Sequence, residues 1–294
     1  MEKIAVIGIP GKWSSERIAD AIEVKTGFRM IIDMHDVALD TDAKTVRYKD
    51  LDLMSLDGLV IKKIVPQYSH YLLDRLEILM FLENMGLPIF SSPYSIFRAV
   101  NRLSCTLTLS RKGLPVPETV ITENVDEAMT ALKRFGSAVF KPLFTSKARG
   151  MMVLEWNESA RDRIEEYKAR HPILYIQKLE EIAGQDYGVA FLGGKYLATY
   201  ARVGKEGSWN TTTHYGGRYQ PYDPPPEWID LATKAQAAFN LDFTCVDMAM
   251  TANGPVIFEV SAFGGYRGLL EANNIDAASL FADHIVGKLH EAAR

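Results

Sequence analysis

Two acidic residues set to face each other across a short hairpin are the feature of this chain most suited to chemistry. Between Cys245 and Ser261, the turn signal Asn253-Gly254 separates two apolar runs and places Asp247 opposite Glu259 to within one position. Val246, Met248 and Met250 share one face and Phe258 and Val260 read as core, so alternation puts both carboxylates on the other face. Like charges directly opposed destabilise a hairpin, and a divalent cation with oxygen ligands relieves the conflict. Magnesium suits the pair, because it needs only one or two protein carboxylates alongside water and phosphate oxygens. Taken alone, the pair fits a solvated hairpin face equally well.

Cationic residues upstream supply the complement. Lys141 closes the apolar run Ala138-Val139-Phe140 and precedes Pro142, so its ammonium sits at a strand end that cannot continue its ladder and can reach a phosphate. The loop after it, Phe144 to Gly150, carries Ser146, Lys147 and Arg149 and offers hydroxyls, amides and charge to polyphosphate. Further on, Ile176-Gln177-Lys178-Leu179-Glu180-Glu181 is a strand running into a polar linker. Backbone groups there can read an adenine edge, and a carboxylate can accept from ribose hydroxyls. A basic turn and a strand end are also common solvated features, so context has to decide.

The elements that would position these residues follow from periodicity. Strands at Lys3 to Ile9, Arg29 to Asp33 and Gly58 to Ile64 alternate with helices at about Ser14 to Val24 and Leu72 to Met85, which predicts a parallel, doubly wound α/β unit. An amphipathic helix from about Ser95 to Lys112 ends at Gly113-Leu114-Pro115-Val116-Pro117, a stiff connector. Beyond it come a compact α+β stretch to Leu179, a hairpin at Gly193-Gly194, a polar stretch to Gly217, a helix from Glu227 to Phe239, the acidic hairpin and a closing helix. The division expected is 1–112, 113–180 and 181–294.

Composition narrows the class. A chain of 294 residues that is 47% hydrophobic can bury sizeable cores and needs no staples. Net charge is −4 with the signs interspersed, so neither nucleic acid nor a membrane surface is expected as partner. The two cysteines, Cys105 and Cys245, lack CxxC spacing, and the six histidines show no metal-ligand pattern, so no disulfide framework or zinc site is expected. The apolar run before Pro10 is too short for a signal-peptide core, and a cytoplasmic location is expected.

In their order along the chain these pieces resemble the ATP-grasp superfamily and, within it, the RimK-like amino-acid ligases, over nearly the whole length. Asn101-Arg102-Leu103 and Gly113 to Thr119 look like the join between the family's first and central domains, with Arg102 where a lysine usually begins the helix. Lys141-Pro142-Leu143 resembles the nucleotide lysine, Gln177-Lys178-Leu179 the adenine hinge and Gly184-Gln185-Asp186 the ribose-side turn. Arg202 matches the arginine near the reacting phosphate, and Asn210-Thr211-Thr212 the nucleotide-contacting polar loop. Asp247, Glu259 and Ser261 look like the metal segment, with Ser261 where asparagine is usual. Two further departures are Ser146 to Gly150 in place of a glycine-rich loop and Gly188 in place of an arginine.

The resemblance implies an ATP-grasp fold with an N-terminal α/β domain, a central α+β lid and a C-terminal antiparallel-sheet domain. It also implies ATP and one or two magnesium ions, with manganese as a substitute, and amide formation through an acyl phosphate. Lys141 and Arg202 are then the catalytic cations. Arg267, in Gly-Gly-Tyr-Arg-Gly, is expected to anchor a substrate carboxylate, since a planar fork suits that partner, and Lys63, at the end of the third strand, is expected to face the acceptor. The added amino acid is expected to be glutamate, and the acceptor a carboxylate on a peptide or on a pterin, flavin or furan coenzyme. A homo-oligomer is compatible with the sequence. The competing readings are a dinucleotide-binding oxidoreductase, for which GxGxxG is missing after Gly8, a nucleotide-binding module without turnover, and a phosphotransferase without the amine step.

Overall fold

The structure, a computed structural model, describes residues 2–69, 71–145, 148–205, 211 and 216–292. The first layer runs β1 (Ile4–Ile7), α1 (Trp13–Thr26), β2 (Ile31–Ile32), β3 (Val37–Asp40), β4 (Thr45–Tyr48), β5 (Leu51–Asp52), β6 (Gly58–Ile61), α2 (Tyr71–Asn84) and β7 (Ile89–Phe90). Strands β2-β1-β6-β7 pair in parallel in that order. Every residue of β1 and β6 is buried, which is why both read as unbroken apolar runs. One face of this sheet packs Ile4, Val6 and Val60 with Ile18 and Ile22 of α1, and the other packs Ala5, Ile7 and Leu59 with Leu72, Leu76 and Leu79 of α2. Strands β3 to β5 form a separate antiparallel meander that periodicity did not foretell. Three of the four residues of β3 are exposed, so there is no apolar alternation to read.

The helix expected from Ser95 to Lys112 is two helices, α3 (Pro93–Val100) and α4 (Arg102–Arg111). Asn101 stands between them in extended backbone and its side chain accepts from the Ser104 amide (3.1 Å), capping α4. The break puts Arg102 in the first turn of α4, and Ala99, Val100 and Cys105 share a core with Ile257 and Val260 of the C-terminal sheet.

The middle stretch is β8 (Thr119–Thr122), α5 (Val125–Phe135), β9 (Ser137–Phe140), β10 (Met152–Glu155), α6 (Ala160–Arg170) and β11 (Leu174–Lys178). Its antiparallel sheet, ordered β10-β9-β11-β8, buries Phe140, Leu154 and Ile176 against Ala128 and Leu132 of α5 and Ile164 of α6.

The last stretch holds β12 (Gln185–Leu192), β13 (Lys195–Val203), β14 (Arg218–Pro221), α7 (Pro226–Ala237), β15 (Phe243–Thr251), β16 (Gly254–Ser261), α8 (Tyr266–Asn273) and α9 (Ala277–Ala292). The sheet order is β14-β13-β12-β15-β16, all antiparallel. Val189, Phe191, Ala201, Val246, Met248, Ile257 and Val260 bury one face. Helix α9 returns to the first layer, where Phe281 and Ile285 join Ile18 and Ile22 of α1. Among the described residues no helix is long and apolar enough to cross a membrane.

Candidate active site

The site is built on the face of this sheet opposite that core. Tyr200, Gly188, Asp247 and Glu259 are cross-strand partners in one row, so their side-chain positions share a face. Arg202 and Asp186 pair in the row on one side of it, and Cys245 and Ser261 pair in the row on the other. The acidic hairpin therefore has the expected register, by an unexpected route. Its turn is Ala252-Asn253, and the tip pairs Thr251 with Gly254 and Met248 with Ile257, a register that would oppose Asp247 to Phe258. A bulge between Asp247 and Met248 restores Glu259 as the partner. The expectation that Phe258 belongs to the core is corrected accordingly. Ile257 and Val260 fill the core, whereas the Phe258 ring lies under the Lys141 ammonium, 5.4 Å from ring centroid to Nζ.

Each of the two opposed carboxylates has an arginine beside it. Arg202 donates from Nε and NH2 to Asp186 (2.9 and 2.7 Å), and its NH2 stands 3.2 Å from Asp247 Oδ1. Those three side chains are only 18%, 12% and 16% exposed. Asp186 also accepts from the Thr211 hydroxyl (2.6 Å). Apart from the ion pair, Asp247 Oδ1 is buried without a hydrogen-bond partner. Burial pushes the Asp247 carboxyl up from its ordinary value; Arg202 pulls it down, while Glu259 and Asp186 push it further up. An under-satisfied acid beside a second acid is a site that fits a divalent cation. Among the described residues no cluster of three or more His, Cys, Asp or Glu side chains could hold a metal. Two carboxylates and the Ser261 hydroxyl position match magnesium, which fills its remaining positions with water and phosphate oxygen.

Arg102 braces the other side. Its Nε donates to the Pro142 carbonyl (3.1 Å), NH2 to the Thr145 carbonyl (3.2 Å) and NH1 to Glu259 (3.4 Å). Lys141 donates from Nζ to the Gln177 side-chain oxygen, and Gln177 donates in turn to Thr119 (3.1 Å) and Tyr175 (3.2 Å). Burial, reinforced by Arg102, lowers the Lys141 ammonium to about 7, with Glu259 acting in the opposite direction. Lys141, Arg102, Glu259, Asp247 and Arg202 therefore lie together.

Other expected residues are placed differently. Asp186 is engaged by Arg202 and Thr211 instead of standing open at a ribose edge. The amides of Lys178 and Leu179 donate to the carbonyls of Glu118, just before β8 (2.9 Å), and of Ser137 in β9 (3.0 Å), and the Lys178 ammonium pairs with the Glu118 carboxylate. Glu181 is exposed beyond β11. Arg267 is half exposed, with its guanidinium over Trp13 (5.1 Å) and 3.6 Å from Glu271. Lys63 follows β6, and Arg149 lies near enough to Tyr68 to favour its ionised form. Ser146, Lys147, Asn210 and Thr212 lie outside the described residues.

Three contributors were missed. Tyr68 and Phe263, edge to face at 6.4 Å, help line a cavity of ≈120 Å³ beside Glu259, Ser261 and Arg102. The segment bearing Tyr68 follows a strand at the carboxyl end of a parallel sheet, where such sheets place ligands, and that signal was readable. Tyr200 explains the glycine at 188. A Cβ there would lie 2.4 Å from Tyr200 Cζ, so only glycine lets the ring cross the sheet to bring its hydroxyl 3.5 Å from Cys245 Sγ.

Comparison with known proteins now settles the family. Residues 99–285 match the model of the RimK-like ATP-grasp domain. This chain belongs to that family. Similar relatives include the tetrahydromethanopterin:alpha-L-glutamate ligase of Methanosarcina acetivorans, 27% identical over 97% of this chain and 99% of the relative. A probable alpha-L-glutamate ligase of a Marinomonas species is 29% identical over 96% of this chain and 95% of its own. Among solved structures, the ATP-grasp ligase PsnB complexed with a minimal precursor superposes with a TM-score of 0.76 at 17% identity, covering 98% of this chain and 99% of that one. The RimK-like chain thus has the ATP-grasp fold, with a parallel sheet first and antiparallel sheets after it, and is a ligase of the carbon–nitrogen bond-forming class.

Proposed function

We propose that this RimK-like protein joins an amino acid, glutamate, to a carboxylate on a peptide or on a glutamate-bearing coenzyme of the pterin, flavin or furan type, at the expense of ATP. The reading is carried by one observation: Asp247 and Glu259 are opposed on adjacent strands, each beside an arginine, with Lys141 over the intervening Phe258. The names of the relatives support glutamate as the added amine.

A carboxylate is a poor electrophile, so the acceptor needs a phosphate leaving group before an amine can displace it. Asp247, Glu259 and Ser261 would hold magnesium, whose charge offsets that of the phosphates. Lys141 and Arg102 would bind the nucleotide phosphates, and Arg202 would neutralise charge on the γ-phosphoryl oxygens as the acceptor oxygen attacks. The amino group then attacks the acyl carbon and inorganic phosphate departs. No side chain of the protein becomes covalently attached.

The test is incubation with magnesium, ATP and candidate carboxylate acceptors, with and without glutamate, followed by mass spectrometry. ADP together with an acceptor heavier by one glutamyl residue is expected. ADP with only a phosphorylated acceptor would make the protein a phosphotransferase, and no ADP with any acceptor would overturn the assignment.

A further inference from the structure

Lys62 is a buried ammonium with no part in the chemistry above. It is 5% exposed, at the carboxyl end of β6, and the sequence had directed attention to its neighbour Lys63. Its Nζ donates to the Gly264 carbonyl (2.5 Å) and lies 3.4 Å from the Phe263 carbonyl, with the Tyr266 ring centroid at 3.5 Å and that of Phe243 at 5.6 Å. Both carbonyls belong to the segment that leaves Ser261 and enters α8. That segment is tightly seated, since a Cβ on Gly264 would lie 2.6 Å from the Phe243 ring. Phe263 is at the same time a wall of the cavity beside Glu259 and Ser261.

An ammonium in an apolar setting costs folding free energy unless its donors are used. Here the donors are spent on two main-chain carbonyls and an aromatic face, and burial, reinforced by Lys63, brings its pKa down to about 7. A methionine would fill the same space without that cost. The residue is therefore a poor choice for stability and a good one for fixing two carbonyls in place. It also ties the first layer of the protein to the loop that follows the metal strand.

We infer that Lys62 is a positioning residue: by clamping Phe263 and Gly264 from the end of β6, it sets the wall of the cavity where the acceptor carboxylate meets the transferred phosphoryl group. The inference rests on the ligase reading for the identity of that acceptor. The clamp itself does not.

The experiment compares the full-length Lys62→Met variant with the parent. The variant folds, with a melting temperature equal to or above that of the parent. Amide hydrogen exchange in peptides spanning 262–268 rises at least about tenfold while 137–155 is unchanged. In the ligation assay the acceptor KM rises or kcat falls by about tenfold or more, on the scale of a sub-ångström misplacement, and ATP affinity stays within about twofold. Unchanged exchange in 262–268 would overturn the clamp. Altered exchange with unchanged acceptor kinetics, or a loss of ATP affinity that matches the loss of rate, would overturn the positioning role. Should the parent ligate no carboxylate, the ligase reading fails and the exchange measurement still decides the clamp.

Discussion

Replacing Arg202 by methionine tests how the site balances its charge. The substitution keeps most of the aliphatic volume and removes the one guanidinium that touches both Asp186 and Asp247. Each carboxylate is less than one-fifth exposed, so neither can recover its solvation by turning outward. Breaking a buried pair by removing one partner costs about 3–5 kcal/mol, because the survivor stays charged and dry. At about 2 °C per kcal/mol for a chain of this size, melting should fall by about 6–10 °C. The loss should depend on acid in a defined direction. A carboxylate whose folded pKa lies above its unfolded value binds more protons in the folded state, so its penalty shrinks as pH falls from about 7 towards 4. Magnesium should raise the melting point of the variant more than that of the parent, since Asp247 no longer has a competing cation. An ion present at a hundred times its Kd contributes about 2.7 kcal/mol. Adding Asp186→Asn should return part of the loss by removing one uncompensated charge. Differential scanning fluorimetry across pH 4–8, with and without magnesium, measures all of this. A variant melting within about 2 °C of the parent, or one that Asp186→Asn does not help, would refute the reasoning.

Three further outcomes are expected. Glu259→Gln should lower turnover by at least about a hundredfold, the scale of losing a group that organises transition-state charge, and near-normal magnesium-dependent rates would remove that residue from the site. Gly188→Ala should destabilise by about 1–3 kcal/mol through overpacking against Tyr200, and Tyr200→Ala in the same chain should relieve the clash; additive losses in urea titrations would show that the two do not touch. Asp242 accepts from His284 (3.1 Å) and Lys288 (2.7 Å), and although burial pushes its carboxyl up, those bonds leave it below its ordinary value. Its contribution is therefore full above pH ~4 and lost as pH falls through the lowered folded value, so Asp242→Asn should flatten the acid limb of the stability curve; an unaltered limb would contradict the assignment.

Much of this was legible because local pattern and global fold agree. The buried strands β1 and β6 announce themselves as unbroken apolar runs, and the acidic hairpin combines a turn dipeptide with alternation. Lys141 was readable because Pro142 ends its strand. What escaped depends on register or on burial, which a linear pattern does not carry. The Asp186–Arg202 pair exists only because β12 and β13 align those two residues, and nothing near either one specifies that. Lys62 and Lys63 are adjacent and identical in type, so only the packing of Phe263 and Tyr266 distinguishes them. The helix break at Asn101 had a visible cap, overridden in the reading by apolar periodicity running through it. That the amides of Lys178 and Leu179 are already bonded was not legible either, because an isolated strand end gives no sign of what flanks it.

The bulge in the acidic hairpin separates two properties that usually travel together. Tip and base of the ribbon differ in register by one residue, and Phe258 is the residue in excess. A ribbon shortened at that position would close into a regular ladder with Ile257 still inward, Glu259 still across from Asp247, and no aromatic ring beneath Lys141. In this chain the cation's aromatic support is thus an extra residue in the ribbon, which the loss of a single codon would remove without moving either acid.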